Sequence, residues 1–405
     1  MAAHWLEITH QARGSRARAG VLHTRSGAVE TPLLCVVGAG GSVGGATPAD
    51  LRGLGVGVLL ARTYELLAWP GSGVVQALGG VHALTGWDGP IVTDSGGAEV
   101  FALGASGPGR GDLADQASRT SGSARRPRGQ TARLLRMDDD GATYTSPHDG
   151  SPQRLTPESA VAAQEALGGD IMAALHRPAR PGADASEAAR AMAQTHAWAR
   201  RCLAERSGRA QASGQALYGV VHAGPVADSQ RASAAAIGRL LFDGVVVDTS
   251  WDRDRDRDRD RNIGGSLDRV VPHLPPRWPR QARASGELGE LVRWVEGGID
   301  LVECPAPTRA AQRGLVYADG GTRSARDPAW RDDPAPVDQD CACYTCRRGF
   351  SRGYLHHLFA CDELLGYTLA TLHNVHTAVR LMQDIRAAIV ADRLAQWHAE
   401  LRSSE

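Results

Sequence analysis

Hydrophobic positions along the chain follow two alternating periods. Short apolar runs read as buried strands: Val56-Gly-Val-Leu-Leu-Ala61, Ile91-Val-Thr-Asp94, residues 170–175, Ala216–His222, Gly244–Asp248 and residues 299–303. Longer amphipathic stretches between them read as helices over 74–84, Pro157–Leu167, 185–205, 228–241 and Leu288–Glu296. Another helix starts at Thr47, an N-cap followed by Pro48 at the first helical position. Residues 5–35 read as short strands, with Gly20-Val-Leu-His-Thr24 and Val29-Glu-Thr-Pro-Leu-Leu34 on either side of a turn at Ser26-Gly27. Strands alternating with helices predict βαβ units on a parallel sheet, and the number of repeats fits a TIM-like (β/α)8 barrel better than an open sheet. Two last helices, over 354–365 and 370–397, follow a cysteine cluster. The expected division is a barrel over 1–335 and a C-terminal metal-binding subdomain over 336–405.

Two segments break this rhythm. Residues 106–130 are rich in Gly, Ser, Arg and Pro and read as a disordered insertion. A strict Asp-Arg alternation starts at Asp252, and 252–262 reads as a second solvated insertion that buries nothing in either helical or extended form.

Composition narrows the function classes. The 405 residues carry 45 basic and 45 acidic side chains, so bulk charge gives no case for nucleic acid and any such surface must be local. Every basic residue is Arg, so anion contacts fall to guanidinium groups, His or backbone amides. No apolar run approaches the ~20 residues that span a bilayer, and the N-terminus lacks a secretory pattern, so a soluble cytoplasmic protein without membrane contact is expected.

Three of the seven cysteines lie together in Cys341-Ala-Cys343-Tyr-Thr-Cys346. An odd triplet this tight suits a closed tetrahedral metal site, with one structural Zn2+ expected, better than a disulfide framework. The fourth ligand is expected from the helical stretch beyond Tyr354. There His356, His357, His373 and His376 are all candidates, and spacing does not choose among them. Asp94 stands where an apolar strand breaks into Ser95-Gly96-Gly97, the place where barrel enzymes hold reacting groups.

An ordered series of motifs over nearly the whole length resembles the tRNA-guanine transglycosylase family. It includes Arg18-Ala-Gly-Val-Leu-His-Thr, Val29-Glu-Thr-Pro, Gly86-Trp-Asp-Gly-Pro-Ile-Val-Thr-Asp-Ser-Gly-Gly-Ala-Glu-Val-Phe101, Ser146-Pro-His-Asp-Gly and Leu155-Thr-Pro-Glu. It continues through Leu167-Gly-Gly-Asp-Ile, Thr308-Arg309, the cysteine triplet, Ser351-Arg-Gly-Tyr-Leu-His-His-Leu and Leu372-His-Asn. The resemblance implies a TIM-like barrel with a zinc subdomain and selects His373 as fourth ligand. It also implies exchange of guanine in tRNA for a 7-deazaguanine-type base, one carboxylate forming a covalent ester with the ribose and another moving protons. Asp94 matches the acid/base position.

Several positions depart from the family's pattern. Glu303, in Leu301-Val-Glu-Cys-Pro-Ala-Pro-Thr-Arg309, replaces the nucleophilic Asp. His176 replaces a base-reading Asp, His222 a Gln, and Asp248-Thr249 a Gly-Gly. Ala98 replaces a stacking aromatic, with Glu99 next, and Arg62 replaces an Asn. Ser95, Gly96, Gly97, His176, His222, Asp248 and Thr249 are the expected substrate contacts. Arg309, Arg313 and Arg352, with Arg347 and Arg348 beside them, form the expected tRNA-phosphate patch. The resemblance supports a base-exchanging enzyme acting as a homodimer or as a heterodimer with an active paralogue. Its alternatives are a non-catalytic RNA-binding partner of an active paralogue, or an enzyme retuned for another base.

Overall fold

The computed structural model describes residues 4–104, 132–179, 183–208, 214–222, 227–248, 259–284 and 287–404. The expected 106–130 insertion lies outside them. Of the Asp-Arg alternation, 252–258 lie outside the described residues, and from Arg259 the backbone is helical, in the helix Arg259–Val270.

Sixteen strands run through these residues. The first three, β1 (Trp5–Gln11), β2 (Arg18–Thr24) and β3 (Gly27–Thr31), form an antiparallel sheet. Next come β4 (Leu33–Gly38), β5 (Val58–Ala61) and β6 (Ile91–Thr93). A second antiparallel sheet holds β7 (Leu134–Asp138), β8 (Gly141–Thr145) and β9 (Pro152–Leu155). The chain continues with β10 (Ile171–Ala173), β11 (Ala216–His222), β12 (Gly244–Asp248), β13 (Arg280–Arg283) and β14 (Leu301–Cys304). A last hairpin joins β15 (Leu315–Ala318) to β16 (Gly321–Ser324).

Eight strands close the expected barrel in the order β4-β5-β6-β10-β11-β12-β13-β14, every neighbour parallel, with β14 pairing back onto β4. Period-2 alternation sorts their side chains. Leu33, Cys35, Val37, Val58, Leu60, Val92, Ile171, Ala216, Tyr218 and Leu301 pack together and fill the interior. Leu6 and Leu22 of the first sheet join this cluster, so that sheet plugs the N-terminal end. The intervening residues, among them Leu59, Ile91, Leu217, Val245, Val247 and Val302, face the surrounding helices.

One barrel strand escaped the hydrophobic pattern. Arg280-Gln-Ala-Arg283 is polar, yet both Arg280 and Gln281 are buried. Asp300 makes this possible, since one of its oxygens accepts from the Arg280 amide at 2.8 Å. The same carboxylate takes a bidentate fork from Arg18, Nε to Oδ1 at 2.8 Å and Nη2 to Oδ2 at 2.7 Å. The helix expected over 74–84 is interrupted. Gly79 and Gly80 have φ of 97° and 91°, and they split the expected helix into Ser72–Ala77 and Val81–Thr85. A side chain at Gly80 would meet the Leu167 carbonyl at 3.2 Å.

The C-terminal helices are Arg352–Ala360, Leu364–Val390 and Leu394–Ser404, three rather than the two expected. The longest, Leu364–Val390, lies against β1, β2, β4, β15 and the helix Ala306–Gln312, and so binds the metal-cluster region to the barrel seam. None of the described helices is long and apolar enough to cross a membrane.

Candidate active site and metal centre

The two-residue period carries the interior face beyond its apolar layers. Above Leu60, Val92, Tyr218, Val246, Gln281 and Leu301 the inward positions at the C-terminal rim are Arg62, Asp94, His222, Asp248, Arg283 and Glu303. The apolar filling thus ends in a ring of ionisable groups. All six are buried or nearly so, with Glu303 at 2% and Asp94 at 9% exposure.

Asp94 is held by the turn that ends β6. Its Oδ1 accepts from the Thr63 amide at 2.9 Å and the Gly96 amide at 3.2 Å. Gly96 has φ of 71° and lies against the Tyr64 backbone, where a Cβ would stand 3.3 Å from the Tyr64 nitrogen. Ser95 turns its hydroxyl back to accept from the Gly97 amide at 3.4 Å, and a Cβ at Gly97 would press on Leu175 at 2.7 Å. Ser95, Gly96 and Gly97 therefore shape the turn that aims Asp94.

Arg62 joins the carboxylates. Its Nη1 donates to Asp94 Oδ2 at 3.1 Å and to Glu99 Oε1 at 2.8 Å, while Nη2 donates to Glu303 Oε1 at 2.9 Å. Arg283 reaches over from the neighbouring strand, with Nε 3.1 Å from Glu303 Oε1 and Nη2 3.8 Å from Asp94 Oδ2. Three carboxylates thus share two guanidinium groups. Burial and the charge of Glu99 push the Asp94 carboxyl up to about 6, against the pull of Arg62 and Arg283. Burial also opposes ionisation of Glu303, but Arg283 and Arg62 outweigh it and hold that carboxyl below its ordinary range. One carboxylate is poised to carry a proton near neutrality, and the other is held ionised.

Arg283 was missed in the sequence because its strand was missed. Arg62 and Glu99 stood out only as departures from a pattern, and nothing in their spacing signals a three-way bridge. On the other side of the mouth, His176 Nε2 lies 3.4 Å from Asp248 Oδ2, and His222 is buried at 1% exposure. Thr249 lies outside the described residues.

The expected phosphate patch disperses. Arg313 is exposed at the end of the helix Ala306–Gln312, and Arg309 is half-buried on it. Arg347 and Arg348 are exposed, with Arg348 over the Tyr344 ring at 5.7 Å. Arg352 is committed inside the protein: its Nη2 donates to the Val337 carbonyl at 3.0 Å and pairs with Asp319 at 3.1 Å, and its guanidinium lies over Trp330.

The cysteine triplet and one histidine converge. Donor atoms of Cys341, Cys343, Cys346 and His373 all lie within 4.8 Å of one another. His373 Nδ1 is 3.6, 3.5 and 3.4 Å from the three sulfurs in that order. A tetrahedral ion with ligands at ~2.0–2.3 Å has edges of about 3.6 Å, so the set fits a single ion. The other three histidines face elsewhere: His356 Nδ1 bonds the Ala325 carbonyl at 3.1 Å, His357 stacks near Tyr354, and His376 is outside the cluster.

The closed parallel barrel, the ionisable ring at its C-terminal rim and the Cys3His cluster beside its seam define a (β/α)8 barrel protein with a C-terminal metal subdomain. The family model described as queuine tRNA-ribosyltransferase matches residues 13–405. A queuine tRNA-ribosyltransferase of Roseiflexus sp. (strain RS-1) is 38% identical over 403 residues, covering 95% of this chain and 96% of its own. One from Gluconacetobacter diazotrophicus is 36% identical, covering 99% of this chain and 94% of its own, and one from Dehalococcoides mccartyi (strain BAV1) is 34% identical, covering 96% and 90%. The chain belongs to the queuine tRNA-ribosyltransferase family.

Proposed function

We propose that this chain is a tRNA-guanine transglycosylase that exchanges guanine in a tRNA for a 7-deazaguanine-type base through a covalent carboxylate–ribose intermediate. The observation that carries this reading is the opposite tuning of Asp94 and Glu303 at one barrel mouth. Two titratable groups driven apart by their surroundings mark an acid/base and a nucleophile. Glu303, kept ionised by Arg283 and Arg62, attacks the anomeric carbon from the face opposite the base. Asp94, with its carboxyl near 6, donates a proton to the departing guanine and takes one from the incoming base. Ser95, Gly96 and Gly97 hold Asp94 in place, while His176, His222, Asp248 and Thr249 contact the bases. Arg309 and Arg313 meet the tRNA backbone. Zinc fills the Cys3His cluster, whose soft thiolates and single imidazole match it.

A second reading has its own observation. Both oxygens of Glu303 accept from guanidinium groups, Oε1 from Arg62 Nη2 at 2.9 Å and Oε2 from Arg283 Nε at 3.2 Å. A carboxylate so engaged is a weak nucleophile, which favours a tRNA-binding partner of an active paralogue. Incorporation of labelled guanine into the organism's own tRNA by the isolated chain separates the two. The enzyme reading expects incorporation that Asp94→Ala abolishes, and incorporation no greater than that variant's refutes it.

A further inference from the structure

We propose that His176, His222 and Asp248 form a second metal site at the barrel mouth, for a divalent transition-metal ion, distinct from the Cys3His cluster. Three consecutive barrel strands deliver these groups. His222 and Asp248 are the last residues of β11 and β12, direct register partners on the inward face. His176 follows β10, and its Nε2 reaches past the intervening strand to within 3.4 Å of Asp248 Oδ2. His222 therefore stands on the strand between the two members of that pair.

The second observation is what these imidazoles lack. Among the described residues, both ring nitrogens of His222 and Nδ1 of His176 are buried without a hydrogen-bond partner. Buried polar atoms are ordinarily paired, so an orphaned imidazole at a site mouth points to a ligand. Among the described residues, the cations nearby have other partners. Arg62 and Arg283 serve Asp94, Glu99 and Glu303, and Arg177 turns to Gln194 Oε1 at 2.8 Å and Glu187 at 4.0 Å.

Two imidazoles and one carboxylate at the ends of three neighbouring strands are a donor set for divalent metals, and three protein ligands leave coordination positions open. The 3.4 Å between His176 Nε2 and Asp248 Oδ2 falls within the ~3.0–3.6 Å that separates adjacent ligands at ~2.1 Å from an ion. Among the described residues only the Cys3His set already has all donor atoms within 4.8 Å. The ion therefore has to draw His222 in by side-chain rotation, which breaks no hydrogen bond of that ring. An ion held here would take the place of the direct base contacts proposed above for these three side chains, and neither the donor set nor its burial depends on whether the chain exchanges bases.

Cobalt titration of the full-length protein, with zinc already in the thiolate site, tests this. One equivalent of Co2+ should bind with visible d–d absorption and no near-ultraviolet thiolate charge-transfer band. In His222→Gln and in His176→Gln the affinity should fall by more than ~100-fold, above what losing an outer-shell partner costs, while zinc content stays at one per chain. That retained zinc also reports that the variants fold. Absence of saturable Co2+ binding, appearance of the thiolate band, or binding unchanged in both variants would overturn the proposal. None of these readouts uses base exchange, so an inactive protein leaves the test intact.

Discussion

The Tyr317 carbonyl stands 2.6 Å from His373 Nε2. A carbonyl can only accept, so it fixes the proton on Nε2 and leaves Nδ1 bare toward the three sulfurs. Tyr317 belongs to β15, and the Asn374 side chain accepts from its amide at 3.1 Å. The hairpin before the cysteines thus sets the tautomer of a ligand on the helix after them. The cysteine cluster, hairpin and helix form one unit.

Cys343→Ser should therefore cost more than a thiol. The variant should lose its thiolate-bound metal and several kcal/mol of stability, since metal affinity at such a site is folding free energy. Metal analysis alongside denaturant unfolding checks both. Wild-type protein without metal in the thiolate site, when purified without chelators, would contradict the assignment.

Replacing Arg62 by Gln removes the cation common to Asp94, Glu99 and Glu303. Leaving buried charges unpaired costs about 3–5 kcal/mol. The carboxyl of Asp94 should then titrate higher than in the wild type. Unfolding curves and carbon-13 NMR of the carboxyl groups report the two effects separately.

The Asp94 carboxyl titrates near 6 in the fold, against 3.8 as its ordinary value. A raised value means the fold favours the protonated form. Its contribution to stability is full below about 3.8 and is lost as pH rises through 6. Relative to Asp94→Asn, the wild type should lose stability between pH 4 and 6.5. Glu303 has the opposite sign, stabilising above its ordinary range and losing that contribution as pH falls. A wild-type-minus-variant stability difference that stays flat across this range would refute the shift at Asp94.

Asp300→Asn breaks the bidentate fork from Arg18, whose two residues are 5% and 0% exposed. It strands a guanidinium beneath the barrel and weakens the anchor of the Arg280 amide on β13. A loss of about 3–5 kcal/mol is expected. Thermal unfolding of Asp300→Asn beside Arg18→Met shows whether the pair acts as one, since coupled partners give losses that do not add.

The barrel was legible because most of its strands are apolar on both faces and its helices keep their period. β13 was not, because its stability comes from Asp300 and Arg18, distant in sequence, rather than from its own side chains. Gly79-Gly80 divided a helix that hydrophobic spacing alone would continue. The metal ligands could be read from spacing down to four histidines, and the resemblance chose among them. The ionic bridge could not be read at all. Arg62, Glu99, Arg283 and Glu303 come from four places along the chain, and only barrel closure sets them side by side.

That closure has a consequence for synthesis. The edge of β4 finds its partner only when β14 has been made, and Leu33 donates its amide to the Asp300 carbonyl at 2.9 Å across the same seam. The helix Leu364–Val390, which covers the seam, arrives later still. A ribosome therefore carries an open strand edge through most of translation, the kind of exposed template that invites aggregation. Asp94 precedes Glu303 by 209 positions, so the two can meet at the mouth only after β14 has been made.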